Sequence, residues 1–379
     1  MDNVDTHRHR IVFTGEGGAY FRIWIVNLLL SIVTLGIYSA WAKVRRLRYL
    51  YGNTLLDGSP FEFHGSPIAL LKGRIVGVIL LVAYSQSSKV SMGLWLAVVA
   101  LLIAIFPWLI WKSLRFRLAN TSYRGIRMGF TGSLRECYLT FLPPLLFFAA
   151  FGAWGISIQA GARAQLPPSP SMMAGFGVLL LLFCACAPWF WFRLKRYQHA
   201  HARLGSAPFS FSGTVGGAYG LAFAALGLFL CVVVVAILAG IAGAVVFAGG
   251  ANRAADPSTF FTVAMVAGAL FYLAVLSIQP IIRAMAQNFI WNKSALDGRA
   301  FTSRVRGARF LLISAGNFLA TVFSLGLFWP FALIRALRYQ LTCVEWSGDP
   351  AVIIADMVDS GVGAAGEESA DLLGFELAL

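Results

Sequence analysis

The chain has 379 residues, of which 59% are hydrophobic and only 12% charged, with a formal net charge of +14. Soluble domains carry about a quarter charged residues, so this composition excludes an ordinary soluble enzyme. The basic residues flank apolar runs instead of forming a domain of their own, which reads as a membrane-topology signal and not as a nucleic-acid footprint.

In chain order, residues 1–18 are a polar N-terminal segment. Gly15, Gly17 and Gly18 superficially suggest a dinucleotide loop, but no strand and ribose-binding acid frame them. They read as an entry to the first apolar run. Arg8 and Arg10 precede that run as in a signal peptide. However, Lys43, Arg45 and Arg46 follow it in place of a small-residue cleavage site, so the segment is expected to be retained.

Apolar segments then fall at about 19–41, 67–86, 92–111, 138–160, 172–192, 217–248, 259–282 and 309–334. Three short links join neighbours into hairpins: Ser85 to Lys89, Pro167 to Pro170, and Gly249 to Pro257. The other connections are longer and basic, with Lys43 and Arg45 in the first, Arg115, Arg117 and Arg124 in the second, Arg193 and Arg196 in the third, and Arg299 and Arg304 in the fourth. The positive-inside rule places these basic loops in the cytoplasm.

One device recurs at the ends of the apolar runs. Trp41, Trp108 and Trp189 precede Asn53, Asn120 and His201 by twelve residues, and Gly65, Gly132 and Gly213 follow after twelve more. Each glycine is reached through an aromatic stretch such as Phe61-Glu62-Phe63, which reads as a short strand. A degraded fourth copy runs from Pro280 through Asn292 to Phe301. Aromatic rings settle at the membrane boundary and arginine stems reach toward headgroup phosphates. The device is therefore a structural corner multiplied by duplication, or a ring of phosphate sites. The anionic-lipid contacts expected from it are Arg45, Arg46, Arg48, Arg115, Arg117, Arg193, Arg196, Arg335 and Arg338.

The first and last apolar segments match each other. Asn27 and Asn317 precede Gly36 and Gly326 by nine residues, beside Thr34 and Ser324, and both copies end in Arg-x-x-Arg-Tyr. Equal orientation of the two copies favours re-entrant hairpins with their breaks inside the bundle, with eight full spans as the alternative. Asn27, Thr34, Asn317 and Ser324 are the residues expected to line a central polar site.

The run Tyr20-Phe21 to Asn27, Thr34 to Tyr38, Ala40 to Arg45 and Arg48-Tyr49 resembles the YjgN-like family of bacterial inner-membrane proteins. The similarity continues through Asn120-Thr121, Tyr123-Arg124-Gly125, Gly366 to Glu368 and Ala370-Asp371. It implies a bacterial inner-membrane protein of a family grouped by an uncharacterised domain, and it supplies no activity and no catalytic residue.

The residues supply no enzyme chemistry either. Cys137, Cys184, Cys186, Cys231 and Cys343 have neither disulfide nor zinc spacing, and His199 and His201 lack further ligands. No cofactor and no metal are expected. The centres of the apolar segments hold no Asp or Glu, which argues against carboxylate-coupled carriers. Residues 345–379 hold eight of the sixteen acidic residues and no Lys or Arg, reading as a solvated tail or a latch on the basic corners.

The expected fold is an all-α integral membrane protein, with three duplicated helical hairpins flanked by two matched re-entrant or spanning segments within residues 19–344. The expected function is a channel or transporter for a small polar or anionic solute. The alternative is a non-catalytic scaffold or anionic-lipid-binding protein. Expected partners are anionic membrane lipids and a second copy of the chain, with no nucleic acid.

Overall fold

The computed structural model describes residues 8–163, 167, 169–249 and 257–349. Pro168, the link at 250–256 and the acidic tail from residue 350 lie outside the described residues.

The chain is five repeats of one unit, in which strands lead into a helical hairpin. Strand β1 (His9–Phe13) enters α1 (Gly17–Val33) and α2 (Ser39–Gly52). Strands β2 (Thr54–Leu56) and β3 (Ser59–Phe63) enter α3 (Pro67–Val90) and α4 (Met92–Ala119). Strands β4 (Thr121–Tyr123) and β5 (Ile126–Phe130) enter α5 (Leu134–Arg163) and α6 (Pro170–Ala200). Strands β6 (Ala202–Leu204) and β7 (Ala207–Phe211) enter α7 (Val215–Gly249) and α8 (Pro257–Asn292). Strands β8 (Ser294–Leu296) and β9 (Arg299–Ser303) enter α9 (Gly307–Phe323) and α10 (Trp329–Thr342), and β10 (Val344–Trp346) returns to β1.

The ten strands close into one antiparallel barrel, so the all-α expectation is wrong. The strand foreseen at Phe61 to Phe63 exists, but it is one of ten, and their closure carries the architecture. Strands of three to five residues are too short to show a two-residue period in the sequence. A lone hairpin is also marginal in water, so each depends on the next.

The register repeats around the barrel. Ile11 pairs with Leu56, Phe61 with Tyr123, Met128 with Leu204, Phe209 with Leu296, and Phe301 with Trp346. These side chains belong to one apolar cluster that fills the barrel. The tight turns Asp57-Gly58 and Asp297-Gly298 both take positive φ, at 49° and 70° and at 50° and 73°. That is the two-residue hairpin turn whose twist matches paired strands. Pairing of β1 with β10 closes the circle, with Arg10 opposite Glu345 and their side chains 2.8 Å apart.

The ring of Phe63 lies on Gly65, where an added Cβ would come within 2.5 Å of the ring. Phe13 and Gly15, Phe130 and Gly132, and Phe211 and Gly213 repeat this contact. In the fourth copy Ser303 stands in the phenylalanine place and Val305 in the glycine place, both buried. There the Ser303 hydroxyl donates to Asn288 Oδ1 at 2.9 Å, and Val305 packs in a cluster with Ala284 and Phe310.

Among the described residues each helix packs chiefly on its two neighbours, and α10 packs on α1, so the ten helices form a ring below the barrel. Phe21 stacks on Phe331 at 5.5 Å across the α1–α10 seam. Six helices, α3 to α8, are long and apolar enough to cross a membrane. Helices α1 and α9 have 17 residues each, about 25 Å, less than a hydrocarbon core of about 30 Å. The two short hairpins are therefore adjacent in the ring.

Their breaks do not lie inside protein as expected, because Leu35 and Leu325 at the tips are 93% and 94% exposed. The turns satisfy their own backbone. Gly36 N–H donates to Ser31 O and Gly326 N–H to Thr321 O, while Thr34 and Ser324 hydroxyls accept from Tyr38 and Phe328 N–H. A turn that closes its own hydrogen bonds needs no protein shelter. The link foreseen at Ser85 to Lys89 is also helical. Its serine hydroxyls donate to carbonyls three residues back, and the break falls at Ser91.

Candidate functional site

The corner is built from the end of each even-numbered helix. The carbonyls of Asn53, Asn120, His201, Lys293 and Cys343 each accept an N–H from the loop after the preceding long strand, at 2.7–3.1 Å. Those donors are Thr14, His64, Thr131, Ser212 and Arg304. The fourth copy thus turns at Lys293, one residue later than the Asn292 read from sequence. Asn53 and Asn120 amides donate back to Tyr49 and Phe116 carbonyls, and His201 Nδ1 does the same to Tyr197 at 3.0 Å. His201 therefore substitutes for asparagine. His199 turns instead toward Phe211, and no metal-ligating cluster of three occurs among the described residues.

Positions eight and five residues before the corner carry arginines on α2, α6 and α10, whereas on α8 position five is Asn288, bonded to Val305 and Ser303. Arg45, Arg48, Arg196, Arg335 and Arg338 are exposed there. Half-buried Arg115 and Arg193 lie over Trp111 and Trp189 at 4.9 and 5.1 Å. Arg338 also donates to Gly15 O at 2.8 Å. This outer girdle gathers seven of the nine arginines expected to contact lipid.

Arg46 and Arg117 differ. Arg46 is half-buried over Trp329 at 5.6 Å, with its Nε buried and without a partner. It lies seven residues before its corner and Arg117 three before, on the helix face shared by positions ten and six. Lys43 and Lys195 hold those positions on α2 and α6, Gln198 and Gln340 hold position three on α6 and α10, and Gln287 holds position six on α8. Gln287 Nε2 donates to Gln340 O at 2.9 Å although α9 lies between their helices in the ring. That face thus points inward. Burial, with the charges of Arg74, Arg46 and Arg117, pushes the Lys43 ammonium down to about 8. Sequence reading missed Lys43, Lys195 and the glutamines as a set, although counting back from each corner residue finds them.

The matched asparagines bind within their own hairpins. Asn27 donates to Ala42 O at 3.4 Å and Asn317 to Ala332 O at 3.0 Å, and each leaves a buried Oδ1 without a partner. A cavity of about 450 Å³ between α3, α4 and α5 is lined by Ser88, Trp95 and Gln159 among others, and none of the four expected polar-site residues touches it.

Comparison with known proteins places the chain in a family. The profile described as "Bacterial protein of unknown function (DUF898)" matches residues 8–372, so the chain belongs to that family. "Inner membrane protein YjgN" of Salmonella typhimurium (strain LT2) is 40% identical over 158 residues, which cover 40% of each chain. The protein of the same name from Escherichia coli O157:H7 is 31% identical over 185 residues, covering 47% of this chain and 46% of the relative. That from Escherichia coli K12 is 32% identical over 154 residues, covering 40% and 39%. The chain spans less than half the length of these relatives in the matched stretch. No solved structure matches it. With relatives named as inner-membrane proteins and six apolar helices of spanning length, the chain is an inner-membrane protein.

Proposed function

We propose that this DUF898 protein is a non-catalytic, anionic-lipid-binding protein of the inner membrane, with its barrel at the cytoplasmic face. The observation that carries this reading is the outer girdle, where exposed arginines flank aromatic rings at the barrel end of the ring. The basic surplus supports the cytoplasmic placement of that end. The apolar filling of the barrel speaks against a polar path along its axis. The test is a protein with Arg45, Arg48, Arg335 and Arg338 all changed to Gln, reconstituted in phosphatidylglycerol–phosphatidylcholine vesicles. Tryptophan quenching by brominated phosphatidylglycerol reads the lipid at the girdle. Each lost charge near the surface removes about 1 kcal/mol of attraction, so the parent's preference for the anionic lipid should largely disappear. An unchanged preference refutes the proposal.

A second reading is favoured by one observation, the buried and unpartnered Oδ1 atoms of Asn27 and Asn317. In it these amides, with Thr34 and Ser324, line a path for a small polar or anionic solute. Replacing both asparagines by leucine then abolishes solute flux in vesicles without unfolding the protein, and undiminished flux rejects the path.

A further inference from the structure

We propose that the inner face of the helix ring, just below the barrel, is a phosphate-binding site built from Arg117 and Lys195, with Lys43 and Arg74 beside them and Gln198 as a neutral donor. This inference goes beyond the outer girdle and does not depend on it.

The placement follows from helix geometry. Residues ten, seven, six and three before the corner share one face of a helix, and the exposed arginines at eight and five lie on another. The Gln287 amide reaches past α9 to the backbone carbonyl of Gln340, and Arg46 reaches past α1 to the Trp329 ring, so side chains of that face cross between alternate helices. Arg117 of α4 is within electrostatic reach of Lys43 on α2 and of Lys195 on α6. In the ring α3 lies between α2 and α4, and α5 between α4 and α6, so the members of either pair face each other across the inner side.

Arg117, Lys195 and Arg74 bring charges of one sign to that face. Among the described residues Asp57 pairs with Arg124 and His9, Glu345 with Arg10, Glu62 with His64, and Glu136 with His201. None pairs with Arg74, Arg117 or Lys195 among the described residues. Arg74 is held by a hydrogen bond to the Ser39 hydroxyl. Lys195 Nζ donates to Gln198 Oε1 at 3.2 Å, which turns the amide so that Nε2 is buried and without a partner.

Half-buried cations crowded together raise each other's energy, and a buried donor left unused adds to it. An anion that accepts from several of them relieves both. A guanidinium fork, an ammonium and an amide N–H match the tetrahedral oxygens of a phosphate. The phosphate is either free or a phospholipid headgroup. The latter fits the long apolar helices beyond, such as α7, whose side chains lie largely exposed on the protein surface.

The test compares the full chain with the double variant R117Q/K195Q. Delipidated protein is dialysed against radiolabelled inorganic phosphate. Protein from phosphatidylglycerol nanodiscs is washed, and its retained phospholipid is counted by native mass spectrometry. The proposal expects one of these to fall by about tenfold or more. Loss of phosphate binding identifies a free-anion site, and loss of retained phospholipid alone identifies a headgroup. R117K/K195R restores binding, which separates charge from folding. If the double variant does not fold, R117Q and K195Q are read singly on the same probes. The proposal is overturned if the parent binds neither probe or the glutamine variants bind like the parent. It is equally overturned if R45Q/R48Q/R335Q/R338Q removes the bound ligand, because the phosphate then sits on the outer girdle.

Discussion

The pairing of Phe63 with Gly65 predicts a specific double-mutant result. In Gly65→Val the new Cβ would lie 2.5 Å from the Phe63 ring, and forced overpacking costs about 1–3 kcal/mol. Phe63→Ser empties the place of a ring that is 4% exposed and packed on Val44, Leu70 and Phe116. Loss of a buried phenylalanine costs about 3–5 kcal/mol. If the two losses were independent they would add. Ser303 and Val305 occupy the same two places in the fourth copy, so the valine is expected to take up part of the space the ring vacates. The double variant should then be more stable than the sum by about 1 kcal/mol or more, within the usual range for residues in contact. Unfolding of the purified protein in mixed micelles with increasing SDS measures all four proteins. Strict additivity would refute the exchange of ring for side chain, and with it the assignment of Ser303 and Val305 to the fourth corner.

Three further outcomes are expected. Lys43 titrates at about 8 in the folded protein against 10.5 in the free side chain, so the unfolded chain holds more protons between those values. Stability should therefore rise as pH goes from about 8 to 10.5, with the cost of the buried charge fully present below 8, and Lys43→Met should flatten that rise in SDS unfolding measured across the range. Gly36→Ala and Gly326→Ala place a Cβ at φ of 90° and 91°, which should cost about 1–2 kcal/mol each. The same substitution at Gly18, in helical backbone with open space around it, should not destabilise, and equal effects would argue against the break geometry. Reporter fusions at Asp5 and Phe375 should both give cytoplasmic signal; periplasmic signal from both would require the barrel to lie on the opposite side.

Much was legible in the chain itself. The twelve-residue spacings from Trp41 to Asn53 to Gly65 mark where a helix ends, a hairpin turns and a ring meets glycine, because each step needs a particular residue type. The matched Asn, Leu-Gly and Arg-x-x-Arg-Tyr of the first and last segments announced equivalent hairpins, and the structure gives them equal helix lengths and equal turn angles. The fourth corner was misread by one residue because Asn292 is the kind of residue that ends the other copies. The backbone contact that defines the corner falls instead on Lys293, and any residue has a carbonyl to offer.

Apolar run length, basic loops and the duplicated corner are local properties, and they are sufficient to fix membrane residence and hairpin order. The barrel is different in kind. Its strands are three to five residues long, its pairs join residues as distant as His9 and Trp346, and none of its hairpins is stable until the others close the circle. Which arginines face outward and which face in was likewise settled only by the ring. A helix face is a direction around an axis, and it acquires a meaning only when the neighbouring helices are in place.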